Sequence, residues 1–478
     1  MTTRGFNRRE FLWGLSQSAL SLLVLARASQ QVVASTQKPT SVLVLGAGIS
    51  GLYTALLLEE KGLSVTVLEG RDRVGGRVHT LDDIPGKPEG GGQSLSEQYQ
   101  RLLALANRLN VPTEVSMGLD KEMLLHIRGQ AVLPKDWDKS TANQLAESEH
   151  SLIPPLLMTH YLRQNNPLED ATAWTKPNYA ALDIPLDEYL RTQGASPEAL
   201  RLLNFDIAAG MNKLETTSAL WALRNDQRGK NRGKQAMHIK GGNSRLVEKM
   251  AGSLQSPVQI NKVVVSIKSG ETGVEVRCAD GANFRADYVV VTLPFSVLRE
   301  VEITPPLLGK QAEAVQELPY TPVTQIRFTV RRPFWEEDGY PPTMWTDSLL
   351  ETIIPIRDEA NRVQSLVSWA SGDIAKQLDG MNSAELAKFA ILELKRIRPA
   401  TEDNVEIVRV VSWGRDPYAR GAYSHFAPGQ IRRFQKEMAK PWQRIHFAGE
   451  HTALASPGME SALESGERVT REILALLG

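Results

Sequence analysis

Cysteine is almost absent from this sequence: Cys278 stands alone among 478 residues. One thiol excludes an intrachain disulfide framework, a multi-cysteine zinc site and a cysteine-ligated iron–sulfur cluster. Any redox chemistry therefore falls to an organic cofactor, and Cys278 reads as an inert packed thiol. Net charge is missing as well, because 55 basic residues balance 55 acidic ones. No basic run stands out in the mature region, so the footprint of a nucleic-acid binder is lacking and no nucleic-acid partner is expected. The eight histidines show no metal-ligand spacing, and no metal is expected. His79, His425 and His451 lie near motifs and are expected to make structural hydrogen bonds. No internal repeat or low-complexity tract interrupts the chain. What is present is an ordinary globular composition, 42% hydrophobic, long enough for two or three domains.

The amino terminus reads as a targeting segment. Arg8 and Arg9 lie in Asn7-Arg8-Arg9-Glu10-Phe11-Leu12, ahead of a mostly apolar run to Ala26 and small residues suited to cleavage after Ala28 or Ala34. The pattern resembles a twin-arginine export signal over residues 1–34 and predicts a periplasmic or otherwise exported protein. Its apolar part falls short of the roughly 20 residues that span a membrane. A cleaved signal is therefore expected, with membrane association at most peripheral.

From Ser41 an unbroken apolar run leads straight into Gly46, Gly48 and Gly51, a GxGxxG turn in the strand-to-helix context that its mechanism requires. Leu52, Ala55 and Leu56 then recur at helical spacing, and Gly62 is placed to end the helix. A second strand, Leu63 to Leu68, ends at Glu69, where a carboxylate reaches ribose hydroxyls. Gly46 permits the tight turn, Gly48 lets backbone approach a pyrophosphate, and Gly51 lets helix and strand pack closely. NAD and FAD share this fingerprint. A protein that must take up a dinucleotide before export gains from a route for folded cargo, which favours the twin-arginine reading.

The next residues, Glu69-Gly-Arg71-Asp72-Arg73-Val-Gly75-Gly76-Arg77, resemble the FAD-binding signature of the flavin-containing amine oxidase family, which includes monoamine, polyamine and L-amino-acid oxidases. The resemblance runs from about Ser41 to the carboxyl terminus. It implies that Arg71 and Arg77 lie against ribose and pyrophosphate, and that Gly90, Gly91 and Gly92 pass close to the isoalloxazine ring, where a Cβ would strike it. Segments Ser218 to Trp221 and His238 to Leu246 are similar to those that carry relatives' chains back to the cofactor domain. Strands are expected at Val263 to Ile267, Gly273 to Val276 and Tyr288 to Pro294, and the resemblance sets Val264 against adenine. Near the end, Ile445 to Glu450 and Gly458 to Gly466 resemble the closing strand and helix, with Glu450 on the ribityl chain and the helix near Met459 aimed at the flavin C2 carbonyl.

The implied fold is α/β: a discontinuous Rossmann-type FAD domain of about residues 40–114, 238–306 and 415–478, with a mixed substrate domain from a mainly helical insert, 115–237, and a sheet-rich insert, 307–414. The latter should contain strands at Ile326 to Val330, Gln364 to Trp369 and Val405 to Trp413.

Tyr423 matches one wall of the relatives' aromatic cage, whereas Pro457 and Gly458 stand where the other wall belongs, which implies a wider mouth. Ala422 occupies the place of a cysteine that some monoamine oxidases join to FAD, so non-covalent FAD is expected. Gln325 stands where relatives commonly place a lysine that favours reaction of reduced flavin with oxygen; a neutral amide brings no such charge. A quinone or cytochrome acceptor is therefore an alternative to oxygen. Ser94 replaces the arginine that anchors a carboxylate in the L-amino-acid branch, and Arg245 is the candidate substitute, with bracing of the Gly242 loop as its other reading. Three functions remain: oxidative deamination of an L-amino acid, basic ones included; monoamine or polyamine oxidation or dehydrogenation; and a catalytically decayed flavin-binding protein.

Overall fold

The glycine-rich turn sits at the head of a parallel sheet. The computed structural model describes residues 39–115, 122–205, 212–230, 235–358, 360–456 and 458–478, so the expected signal segment and Pro457 lie outside the described residues. Strand β1 (Ser41–Leu45) pairs in parallel with β2 (Ser64–Leu68) on one side and β3 (Tyr288–Val291) on the other, and the closing strand Ile445–Phe447 continues the sheet beyond β3. Buried on both faces, β1 and β3 read as continuous apolar runs rather than alternating ones.

Between β1 and β2 runs helix α1 (Ile49–Glu60), apolar almost all round and buried accordingly. It ends because Gly62, at φ +80°, turns the chain: Gly62 N–H donates to Glu59 O and Leu63 N–H to Leu58 O. The closing helix Gly458–Ala475 crosses α1 at close range, where Ser50 and Ser465 hydroxyls meet at 3.1 Å and a Cβ on Gly466 would lie 3.0 Å from the Thr54 hydroxyl. Leu52, Leu58, Leu463, Val469 and Ile473 share this core.

The second insert builds a seven-stranded sheet in the order Val405–Ser412, β4 (Val323–Val330), Val363–Ser371, Thr352–Arg357, Met344–Thr346, Leu124–Ile127 and Gln130–Val132. Its last two strands come from the insert expected to be mainly helical; Leu124–Ile127 docks in parallel on Met344–Thr346. The helical expectation holds for the rest, including α2 (Pro154–Gln164) and α3 (Ala219–Lys230). A four-stranded sheet, Val264–Ser269 between Val274–Cys278 and Glu302–Thr304 with Asn283–Ala286 outermost, contains two strands not expected from the sequence, Asn283–Ala286 and Glu302–Thr304. The residues Ser41–Gly478 form one unit. Among the described residues no helix is long and apolar enough to cross a membrane, and no three potential metal ligands stand together.

Candidate active site

A cavity of about 710 Å³ runs from the glycine turn to the seven-stranded sheet. At the turn, Gly46 adopts φ +103°, and a Cβ on Gly51 would fall 2.0 Å from Gly46 O, so only glycine lets α1 start there. Gly48 differs: its φ of −70° suits any residue, and a Cβ would meet no protein atom within 4 Å, because it would point into the cavity. This space fits a pyrophosphate at the N-terminus of α1. Glu69, 6% exposed, accepts the Ala47 N–H at 2.7 Å and the Arg71 N–H at 3.0 Å, which ties its carboxylate to the turn.

Arg71 lines the cavity with its fork held bidentately by Asp416 at 2.6 and 2.7 Å and Tyr418 beneath it, 5.0 Å from guanidinium carbon to ring centre. Arg77 donates to Ala422 O at 2.9 Å and to Glu450 Oε1 at 3.0 Å. Burial pushes the Glu450 carboxyl upward, but Arg77, His451 and the Ser424 hydroxyl outweigh it and hold it below the usual carboxylate range. An anion and a cation thus face the cavity side by side, a pairing suited to the hydroxyl and phosphate groups of a dinucleotide. Val264 lines the same stretch, beside a register break between Val264 and Ser266.

The second glycine cluster has a different cause from the expected one. A Cβ on Gly91 would sit 1.9 Å from Arg77 O, on Gly92 2.8 Å from Met459 Sδ, and on Gly90 3.1 Å from Leu81. At Gly91 a backbone atom, before any ring, demands glycine, whereas at Gly90 and Gly92 the neighbours are side chains; Gly91, Gly92 and Met459 all line the cavity.

At the sheet end, Tyr423 pairs with Thr321 in a two-residue antiparallel bridge and lines the cavity with Trp369 and Trp413. Burial, helped by Glu351, raises the Tyr423 phenol well above its ordinary pKa, so it stays neutral. Both tryptophans went unrecognised as walls, although each ends a strand legible in the sequence; the signal was a large aromatic at the sheet end facing the cofactor. Gly458 also lines the cavity, at φ +49°. Its missing side chain leaves no void, since a Cβ would lie 2.3 Å from the Tyr99 hydroxyl.

Gln325 is fully buried in β4, in register with Trp369 and Val411. Its Oε1 accepts from Arg327 Nη2 at 2.6 Å, while its Nε2 has no partner. The expectation of a site without positive charge is corrected here, because the guanidinium of Arg327 stands directly behind the amide. Arg245 is also corrected. It is absent from the cavity wall and pairs with Asp82 and with Glu248, the latter at 3.1 Å, so it braces the loop after Gly242.

Two further cations of the cavity wall, Arg224 and Arg228, are on α3. Arg224 is sandwiched between Trp174 and Trp221, 4.2 and 4.3 Å from their ring centres, and caps the carbonyls of Ala453 and Leu454. Arg228 donates Nε–H to Ala455 O at 2.7 Å, and burial lowers its pKa to about 9, which leaves it charged at neutral pH. Of the histidines, His425 bonds Thr321 and Asn212 as expected, but neither nitrogen of His451 bonds among the described residues, and its ring packs against Phe295 with centres 4.3 Å apart and planes tilted by 56°. Burial drives His451 down to about 4, so it is a neutral packing residue.

Flavin-containing amine oxidoreductases, as a family, match this chain over residues 49–474. An L-amino-acid oxidase of Bothrops moojeni is 26% identical over 474 residues, covering 92% of this chain and 90% of that protein. The flavin-containing amine oxidase B of Homo sapiens is 26% identical over 458 residues, covering 91% and 86%. Among solved structures, a putrescine oxidase bound to putrescine superposes with a TM-score of 0.75 at 25% identity, over 92% of this chain and 99% of that one.

Proposed function

Because the chain belongs to the family of flavin-containing amine oxidoreductases and is an FAD-dependent enzyme of that family, we propose that its substrate is an L-amino acid whose carboxylate is met by Arg228. FAD, when bound, supplies the acceptor for a hydride from the amine-bearing carbon. The carrying observation is an unpaired charge: Arg228 lines the cavity, spends two nitrogens on the carbonyls of Leu454 and Ala455, and has no carboxylate at ion-pair distance among the described residues. A guanidinium so placed has donor capacity left for a carboxylate. Tyr423, Trp369 and Trp413 exclude water from the reacting carbon, and the loop held by Arg224 and Arg228 leads into the closing helix at Gly458.

A diamine is the second reading, favoured by Asp226 in the cavity wall, although Arg163 and Asn166 already engage that carboxylate. Anaerobic bleaching of the flavin by panels of L-amino acids, monoamines and diamines separates the two. Arg228→Met should weaken amino acids by about 2–5 kcal/mol, the scale for one partner of a buried charge pair, and leave simple amines nearly unaffected. Equal losses for both classes would remove Arg228 from substrate recognition. We further propose that FAD is held without a covalent bond, since Ala422 offers no thiol. Oxygen, a quinone or a cytochrome accepts the electrons, and export uses the Arg8-Arg9 signal. Replacing both arginines by lysine should then strand the FAD-loaded protein in the cytoplasm, as fractionation would reveal.

A further inference from the structure

Side chains on one face of a strand recur every second residue, so Val323, Gln325 and Arg327 share a face of β4. The first two line the cavity, and Arg327 follows just beyond its wall. Arg327 is 1% exposed. Its Nη2 donates to Gln325 Oε1 at 2.6 Å and to the backbone oxygen of Glu89, while Nε and Nη1 have no partner. No carboxylate of a described residue lies within ion-pair distance; the side chain of Glu89 acts on it only from further off, being held by Thr80 and the Asn243 N–H. A buried cation without a counter-ion is costly, and an apolar chain of the same length would avoid the cost.

The hydrogen bond decides which way the amide of Gln325 faces. A guanidinium has no acceptor, so only Oε1 can turn toward Arg327, and Nε2 is left on the opposite side, buried and unpartnered. The strand thereby presents an N–H donor backed by a full positive charge. We propose that Arg327 is a positioning residue of the redox site, fixing the Gln325 amide in the cavity wall and making the bound flavin a stronger hydride acceptor through its unpaired charge. The inference rests on the reading that the flavin's reacting ring lies at the Gln325–Tyr423 end of the cavity. Transfer of a hydride takes two electrons and one proton from the amine-bearing carbon, the iminium nitrogen so formed releases one of its two protons to solvent to leave the imine, and FAD, when bound, would take up the negative charge. A preorganised donor and a cation in a low-dielectric site favour that charged form.

The test measures the midpoint potential of bound FAD by spectroelectrochemistry in the holoenzyme, with thermal melts alongside. Arg327→Met should shift the oxidised-to-reduced equilibrium at least tenfold toward oxidised flavin, about 30 mV for a two-electron couple. Its melting temperature should be unchanged or higher, because the uncompensated charge is gone. Arg327→Lys, which keeps the charge, should retain most of the potential. Should Arg327→Met fail to fold, Arg327→Gln carries the same expectation. A neutral variant that holds FAD at the parent's potential overturns the proposal. A fallen potential in an enzyme whose flavin no amine or amino acid bleaches supports Arg327 as a redox-site residue and defeats the amine-oxidising reading instead.

Discussion

Replacing Gln325 by lysine adds a second cation where one is already buried, and the outcome follows from their separation. Gln325 Oε1 lies 2.6 Å from Arg327 Nη2, so an ammonium at this position stands about 4 Å from the guanidinium. At an effective dielectric of about 20, like charges at that range repel by about 4 kcal/mol. That is about 3 pKa units, enough to bring a lysine from about 10.4 to between 7 and 8, and burial lowers it further. Near pH 8 the new side chain is therefore an uncharged amine and gives superoxide no stabilisation. Oxygen should reoxidise the single variant no faster than the parent. Combining Gln325→Lys with Arg327→Met removes the repulsion, and a gain of about 1.4 kcal/mol from the restored ammonium would accelerate the step about tenfold. Stability supplies a second readout. The lysine's folded pKa is depressed, so its penalty is absent above about pH 10.4, grows as pH falls, and is complete below the folded value near 7. Stopped-flow reoxidation at about pH 8 and thermal melts at about pH 6 and 9 decide the matter. Acceleration in the single variant equal to that in the double, or a melting offset independent of pH, would refute the reasoning.

Gly48→Val should purify folded, since a Cβ there meets no protein atom, yet without FAD, because the branched side chain fills the space beside α1; full flavin occupancy would misplace the site. Acid precipitation should leave a colourless pellet and a yellow supernatant, as Ala422 offers no thiol for attachment. Burial pushes the carboxyl of Glu89 up to about 7 against the pull of Asn243, Thr80, Arg327 and Arg245. Its stabilisation is complete below about pH 4.5 and is lost as pH rises through about 7, at most about 3 kcal/mol. Glu89→Gln should accordingly gain stability relative to the parent between about pH 5 and 8, and parallel melting curves across that range would exclude the effect.

The glycine turn, α1 and β2 were legible because their signals are local: an apolar run, a 3.6-residue period and a Gly62 stop. Three strands of the seven-stranded sheet were legible for the same reason. Leu124–Ile127 was not, since its partner Met344–Thr346 lies more than two hundred residues away and nothing in its own period announces that pairing. The site divides similarly. Glycines and carboxylates that meet the cofactor's phosphates and hydroxyls act through backbone geometry written in the motif. For Arg245 the structure favours bracing, the second of the two readings its sequence context allowed: Glu248 sits one helical turn on, while Asp82 becomes a partner only in the folded chain. Arg327 was overlooked because an arginine inside a strand normally marks a solvated face, and here that face is the cavity's back wall.

The closing strand and helix have a consequence for the order of events during synthesis. Ile445–Phe447 completes the parallel sheet beside β3, Glu450 and Met459 line the cavity, and the last helix braces α1. The dinucleotide cradle, begun by the first described strand, is finished by residues translated some four hundred codons later. Long-range contacts of this kind form late in folding. Cofactor capture therefore waits for the segment from Ile445 onward, and a nascent chain stalled before Ile445 should retain no flavin.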